Sequence, residues 1–407
     1  MYAHLNKNSH WTGDFMPADT SSTATRMAPF SGLVVVELGH SVAAPFAGQI
    51  LGDLGARVVK VEKAEGDDAR KWGPPFVNGV SSIFQALNRN KESVVCDLRS
   101  QGDSDALKQF IAGEADIVLQ NLRPGHVEKL GLGAQAMTAL NPQLIYCNMG
   151  SFGKAGPLKD KPGYDPLMQA FSGIMSTTGH PGQAPVRVGP SIVDMGTGMW
   201  AVIGILTALL ERKETGLGRV IDVSLFETAA CWVSLLASQC QASGHPPGRQ
   251  GSGASGIVPY KAYAACDGQE IVVAAGSDGL FRKLAHTLGH PEWLSDPRFS
   301  DNPSRVTHQQ ELYAMLDNIF AQSSSEEWQA RMDAAGIPCS PVQDLSQMLA
   351  HPQTSALGLL QPVPGTGMEF IGLPFSLDGQ RPEPCSAPPA LGQHTNLLIK
   401  HPERTET

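Results

Sequence analysis

The stretch TTGHPGQAPVRVG, residues 177–189, is a tight Gly- and Pro-rich loop between two helix-like segments, with one residue able to move a proton, His180. Two carboxylates flank it, Asp165 in GYDPLM and Asp194 in SIVDMGTG. A histidine titrates near neutrality, and a carboxylate can act as acid, base or nucleophile. Each of the three also has a plain reading. Asp165 precedes Pro166 and a helix, which suits an N-cap; Asp194 stands at the start of a long helix it could cap in the same way. A lone loop histidine is most often simply exposed. One further passage, ELGHSVAAPFAG, is a strand–turn–helix that could cradle a phosphate at a helix N-terminus. It lacks G-x-G-x-x-G, so a dinucleotide reading is weak and a packing turn is the alternative.

The elements that must position these residues are legible from periodicity. GLVVVELGH (32–40) and RVVKVE (57–62) read as buried strands separated by a helix at 41–56. A βαβ unit of that length carries parallel strands. SVVCDL (93–98), ADIVLQN (115–121) and LIYCNM (144–149) continue the pattern, with helices between them, so an open α/β sheet with ligands at its C-terminal strand ends is expected. A long helix is expected from 198, stopped by Gly216 and Gly218. A Gly-rich boundary loop or lid follows at 245–256, then a hairpin over 257–276 turning at Asp267-Gly268, then three amphipathic helices. The Pro-rich stretch 352–390 reads as extended surface chain.

A chain of 407 residues favours two domains, and 42% apolar with 17% charged residues allows a large core. A net charge of −9 argues against nucleic acid or an anionic membrane as main partner. The longest apolar run, MWAVIGILTALL, is too short to span a bilayer. The N-terminus has no apolar signal region and reads as a loose polar arm. Seven cysteines without metal-type spacing imply reduced thiols, a cytoplasmic location and no metal site.

Six blocks, in order, carry a family resemblance: GHSVAAPFAGQILGDLGARVVKVEKAEGDDAR, LNRNKESVVCDL, QNLRPGHVEKLGLG, GSFGKAGPLKDKPGYDPLMQAFSG, TGLGRVIDVSLFE and LGQHT. Over about residues 30–400 the chain resembles the family III CoA-transferases, the superfamily of formyl-CoA transferase, carnitine CoA-transferase and α-methylacyl-CoA racemase. GIVPYKAY and TGLGRVIDVSLFE look closest to members using succinyl-CoA and dicarboxylic acids. The resemblance implies an interlocked homodimer with a Rossmann-like large domain and a smaller α+β domain. The corresponding layout is an arm at 1–28, the large CoA-binding domain at 29–225, the small domain at 226–332, and a segment at 333–407 returning to the large domain. CoA and its acyl esters are then substrates, a small carboxylic acid is the acceptor, and no cofactor is permanently bound. Carried over, Lys63 reaches the CoA phosphates, Asn121 and Lys129 hold the nucleotide part, and His40 to Ala43 line the thioester end through backbone groups.

In the resemblance, the loop at 177–189 carries the aspartate that attacks the thioester, and its position matches Gly182. His180 beside it could be a base or a thioester contact. The racemase branch offers a two-base pair instead, of which Asp165 and Asp194 are present while Tyr164 replaces a histidine. Three functions stay open: a CoA-transferase with its carboxylate lost or moved, an acyl-CoA epimerase, isomerase or lyase using Tyr164, Asp165 and Asp194, or a CoA-ester-binding homologue without activity. If the acid was simply lost, Gly182→Asp restores transfer.

Overall fold

The computed structural model describes residues 28–398. The expected arm at 1–28 therefore lies, but for Ala28, outside the described residues.

Six parallel strands make the central sheet: β1 (Val34–Leu38), β2 (Arg57–Glu62), β3 (Lys91–Val95), β4 (Ile117–Gln120), β5 (Ile145–Gly150) and β6 (Val220–Ser224). Their spatial order is β3-β2-β1-β4-β5-β6. Strands covered on both faces need apolar residues at consecutive positions, and Val35 and Val36 of β1 are fully buried on opposite faces. The chain leaves β1 toward β2 but returns to the other side of β1 as β4, so a crevice opens at the C-terminal ends of β1 and β4. Leu38 pairs with Gln120, which brings the segments beginning at Gly39 and Asn121 out side by side.

Helix α1 (Ala43–Asp53) joins β1 to β2, with Pro45 in its first turn where no N–H is needed. Helix α2 (Gln101–Glu114) joins β3 to β4. Helix α3 (Asp165–Phe171) follows β5. Helix α4 runs from Ile192 to Thr215, six residues before its expected start. It lies against α1, and Gly198 permits the approach: a Cβ there would sit 2.8 Å from the Ala43 carbonyl oxygen. Gly216, left-handed at φ 69°, ends the helix with its N–H on Arg212 O. By length and composition α4 could cross a membrane, yet one face is packed into the core through Val193, Ala201, Val202 and Ile205. The other face exposes Met199, Trp200, Ile203, Leu206 and Leu210. Helix α5 (Leu225–Trp232) follows β6 and packs back on α4.

A second hydrophobic cluster lies further along the chain. Antiparallel strands Tyr260–Ala264, Glu270–Ala274 and Cys339–Pro341 form a small sheet. Helices Asp278–Leu288, Gln309–Phe320 and Ser325–Ala335 cover it. Phe281, Leu316, Phe320 and Trp328 centre that core. The first two strands make the expected hairpin, with Gly268 left-handed in the turn.

The stretch 352–390 is more structured than its prolines suggest. It carries helix Pro352–Ala356 and a hairpin of Leu360–Pro362 with Glu369–Ile371, and it buries Val363, Phe370 and Leu373. The turns in it need proline and glycine, while the apolar residues between them are spent on burial. Beyond it the chain reaches the edge of the main sheet. Ser93 N donates to His394 Nδ1 (3.1 Å), His394 N donates to Ser93 O (2.8 Å), and Val95 N donates to Thr395 Oγ1 (3.0 Å).

Candidate active site

Two cavities meet at the crevice. One of about 470 Å³ is lined by His40 to Ala43, Asn121, Arg123, Ser151, Tyr164, Asp165, Ser191 and Asp194. The other, about 390 Å³, runs along the ends of β2 and β3 and is lined by Lys63, Asp68, Asp97, Arg99 and His126. They share His40, Asp68 and Leu122. Together they form a trough whose first arm mixes Lys63, Arg99 and His126 with Glu65, Asp67, Asp68 and Asp97, and whose other arm ends at Asp165 and Asp194.

The two expected carboxylates are neighbours with opposite fates. Asp165 is 2% exposed. Its Oδ2 accepts from Val193 N (2.8 Å) and Asp194 N (3.1 Å), and its Oδ1 from Gln169 Nε2 (2.6 Å). Asp165 therefore caps the start of α4, not its own helix α3 as its position before Pro166 suggested. Ser191, which precedes the helix, makes no capping bond with its side chain. Asp194, at the third position of α4, receives no hydrogen bond to its carboxylate among the described residues, and that carboxylate borders the cavity. Burial, and then the Asp165 charge beside it, push its pKa up to about 7.

The strand–turn–helix after β1 forms the facing wall. His40 Nδ1 lies 3.0 Å from Ser41 Oγ. Burial pushes the imidazole below its ordinary pKa, a shift that the Asp67 charge opposes. The first N–H groups of α1, at Ala43 and Ala44, have no carbonyl four residues back and no capping side chain.

Not every expected residue reaches the trough. His180 and Gly182 line neither cavity. Residues 180–187 are exposed. The loop is tied down by Arg249, which donates to the carbonyls of Ser176, His180 and Gln183 (3.4, 3.3 and 2.6 Å), and by Gly251 N on Gly179 O (2.9 Å). Gly182 is left-handed, φ +77°, and a Cβ on it would meet nothing within 4 Å. Lys129 also lines neither cavity; it ends the one-turn helix His126–Lys129, about 4.5 Å further along the axis than His126, which does. Asn121 borders the trough, but its amide is engaged with His40: Oδ1 accepts from His40 N (3.0 Å) and Nδ2 donates to His40 O (2.9 Å). Lys63 lines the smaller cavity, paired with Asp68 at 2.9 Å. Sequence reasoning passed over Arg99, Arg123 and His126. Arg99 follows β3 as Lys63 follows β2, so the first cation past a strand's C-terminal end was the available signal.

A parallel α/β sheet with a trough at its switch point, ending at a raised-pKa carboxylate, is the arrangement of an α/β enzyme site. The comparisons name that class. The profile of CoA-transferase family III matches residues 30–395, and the chain belongs to that family. It is 34% identical to the succinate–glutarate CoA-transferase of Agrobacterium fabrum, covering 94% of this chain and 97% of that one. It is 33% identical to the succinyl-CoA:glutarate CoA-transferase of Mus musculus over 96% of this chain and 89% of that one. The crystal structure of a CAIB/BAIF family protein from Brucella suis superposes with a TM-score of 0.82 at 36% identity, covering 92% of this chain and 99% of that chain. The protein is a CoA-transferase, and CoA thioesters and carboxylic acids are the substrates of its class.

Proposed function

We propose that this protein transfers CoA from succinyl-CoA to a second small dicarboxylic acid, with Asp194 as the nucleophile. One observation carries the reading: of the two carboxylates at the head of the trough, only Asp194 has its oxygens free for substrate. The naming of relatives as succinyl-CoA:glutarate CoA-transferases supports the donor and the acceptor class. CoA lies with its phosphates in the arm of Lys63, Arg99 and His126 and its thioester between the Gly39–Ala43 turn and Asp194.

The Asp194 carboxylate attacks the thioester carbonyl, the C–S bond breaks, and a mixed anhydride forms as CoA thiolate leaves. The thiolate attacks the aspartyl carbonyl of the anhydride, releasing succinate and leaving a thioester between Asp194 and CoA. The incoming carboxylate attacks that thioester, and the returning thiolate takes the new acyl group and frees Asp194. A carboxylate suits each step because it both attacks and departs. On this reading the uncapped Ala43 N–H at the head of α1, which borders the cavity, stabilises the developing oxyanion. Exposed Gly182 has no part in these steps; on this reading the acid stands at the helix start and the loop never needed one.

The apolar face of α4 supports a homodimer of interlocked chains, tested by sedimentation at low micromolar concentration, where a folded monomer would remove it. Seven free cysteines support the cytoplasmic placement. The mechanism is tested with succinyl-CoA alone: a hydroxylamine-sensitive CoA adduct should map to Asp194 by mass spectrometry, with ping-pong exchange of labelled succinate. An adduct elsewhere, or none in an exchanging enzyme, rejects Asp194.

A further inference from the structure

The wall opposite Asp194 is held in a conformation that its own sequence does not favour. Ser41 has φ +69°, the left-handed region where a side chain is strained and serine is uncommon. Strain of this kind persists where the surroundings over-determine the backbone. Here they do so residue by residue. Lys60 Nζ donates to Gly39 O (2.8 Å), Asn121 brackets both polar groups of His40, and Asp67 Oδ1 accepts from Ser41 N (3.1 Å). Lys91 Nζ donates to Pro45 O (2.8 Å) in the first turn of α1.

Of the charged members of this set, Asp67 lines the trough, while Glu37, Lys60 and Lys91 lie beneath it and are cut off from solvent. Lys60 Nζ is 2.9 Å from Asp67 Oδ2 and 2.9 Å from Glu37 Oε1, and Lys91 Nζ is 2.8 Å from Glu37 Oε2. Glu37, Lys60 and Lys91 side chains are 0% exposed. Two cations and two anions balance. Replacing such a buried quartet with apolar packing commonly preserves or raises stability, so stability alone is a poor reason for it. Its geometry gives a better one, because three of its polar contacts, from Lys60, Asp67 and Lys91, end on backbone groups of the Gly39–Pro45 segment.

We propose that Asp67, seated on Lys60, is a positioning residue for CoA transfer: it holds Ser41 in its left-handed conformation and so fixes the Gly39–Ala43 backbone against which the thioester lies. Asp67 acts through the turn and not on the substrate. The inference rests on the placement of the thioester between this turn and Asp194. A turn that relaxes by an ångström misaligns the head of α1 with the thioester carbonyl. Asp67 also borders the arm of Lys63 and accepts from Ala69 N (2.9 Å), so rescue by Ser41→Gly is what separates its hold on the turn from that second contact.

The test exploits glycine, which adopts φ +69° without strain. Asp67→Ala should lower kcat roughly 10²-fold, with KM for succinyl-CoA changed less than about threefold. Adding Ser41→Gly should return at least about tenfold of the lost kcat, since the turn no longer needs to be forced. Asp67→Asn keeps an acceptor for Ser41 N, so its loss should be smaller. If Asp67→Ala does not fold, the Asn variant with and without Ser41→Gly makes the same comparison. A folded Asp67→Ala enzyme with unchanged kcat overturns the positioning role, as does a loss that Ser41→Gly leaves untouched. Full activity in Asp194→Ala would instead strike the reading of the site itself.

Discussion

The loop at 177–189 and the helix start at 191–194 are neighbours in sequence and opposites in structure. The loop shows the marks by which functional loops are recognised: glycines, prolines, a histidine and exposure. Two of its carbonyls, those of His180 and Gln183, are nevertheless taken up by Arg249, and residues 180–187 are exposed to solvent. The helix start looks like routine capping, and half of it is. Asp165 spends both oxygens on backbone N–H groups and a glutamine, so the adjacent Asp194 does not have to cap and is left facing a cavity. Residue type makes both aspartates eligible for chemistry; what consumes their lone pairs decides between them.

The comparison breaks most easily at Asp194. Asp194→Asn should lower CoA transfer by roughly 10³-fold or more, as for loss of a covalent nucleophile. The same enzyme with Asp194 intact should show kcat/KM rising with pH to a plateau above about 7, because the attacking form is the carboxylate whose pKa lies there. A flat profile between pH 5 and 8 would contradict it. Removing Asp165 should act on folding before chemistry. Asp165→Ala strips a buried cap of three hydrogen bonds and should cost about 2–4 kcal/mol in denaturant unfolding.

Stability should move the other way at Asp194. Its folded pKa is raised above the unfolded value of 3.8, so its contribution is full below that pH and is lost as pH climbs to about 7. Asp194→Asn should therefore raise Tm by roughly 2–4 °C at pH 7.5 and leave it nearly unchanged at pH 4. Within the smaller cavity, Lys63→Ala should weaken CoA binding by about 1 kcal/mol in calorimetry, while Lys129→Ala leaves it unaltered. The smallest effect belongs to the loop. Gly182→Asp should change transfer less than about twofold and cost under about 1 kcal/mol, since Asp tolerates left-handed backbone better than most residues. An acyl or CoA adduct on position 182 would return the loop to catalysis.

The sheet was readable because its strands are buried on both faces and so carry consecutive apolar residues, as at Val34–Val36 and Val58–Val59, even with Glu37 and Lys60 set among them. The position of Asp194 was readable as a helix start, but its freedom was not. The group that caps α4 lies 28 and 29 positions upstream of the N–H groups it receives, and no local pattern announces a cap supplied from another helix. The start of α4 itself was set too late for a related reason. The apolar run begins only at Met199, whereas the observed helix also takes in Gly196 and Gly198, the latter letting α1 lie close. The tail failed in the opposite sense: its prolines masked Val363 and Phe370, whose burial depends on distant partners.

The hydrogen bonds from His394 and Thr395 to β3 have a consequence in time. An edge strand with unpaired backbone groups is a template for another chain, and here the groups that cover it are supplied 301 positions downstream. At about 5–20 residues per second, a growing chain carries β3 uncovered for roughly 15–60 s after making it. The first half of this molecule must therefore stay soluble on the ribosome with an open sheet edge, and the closing residues act as a late seal on a sheet already built.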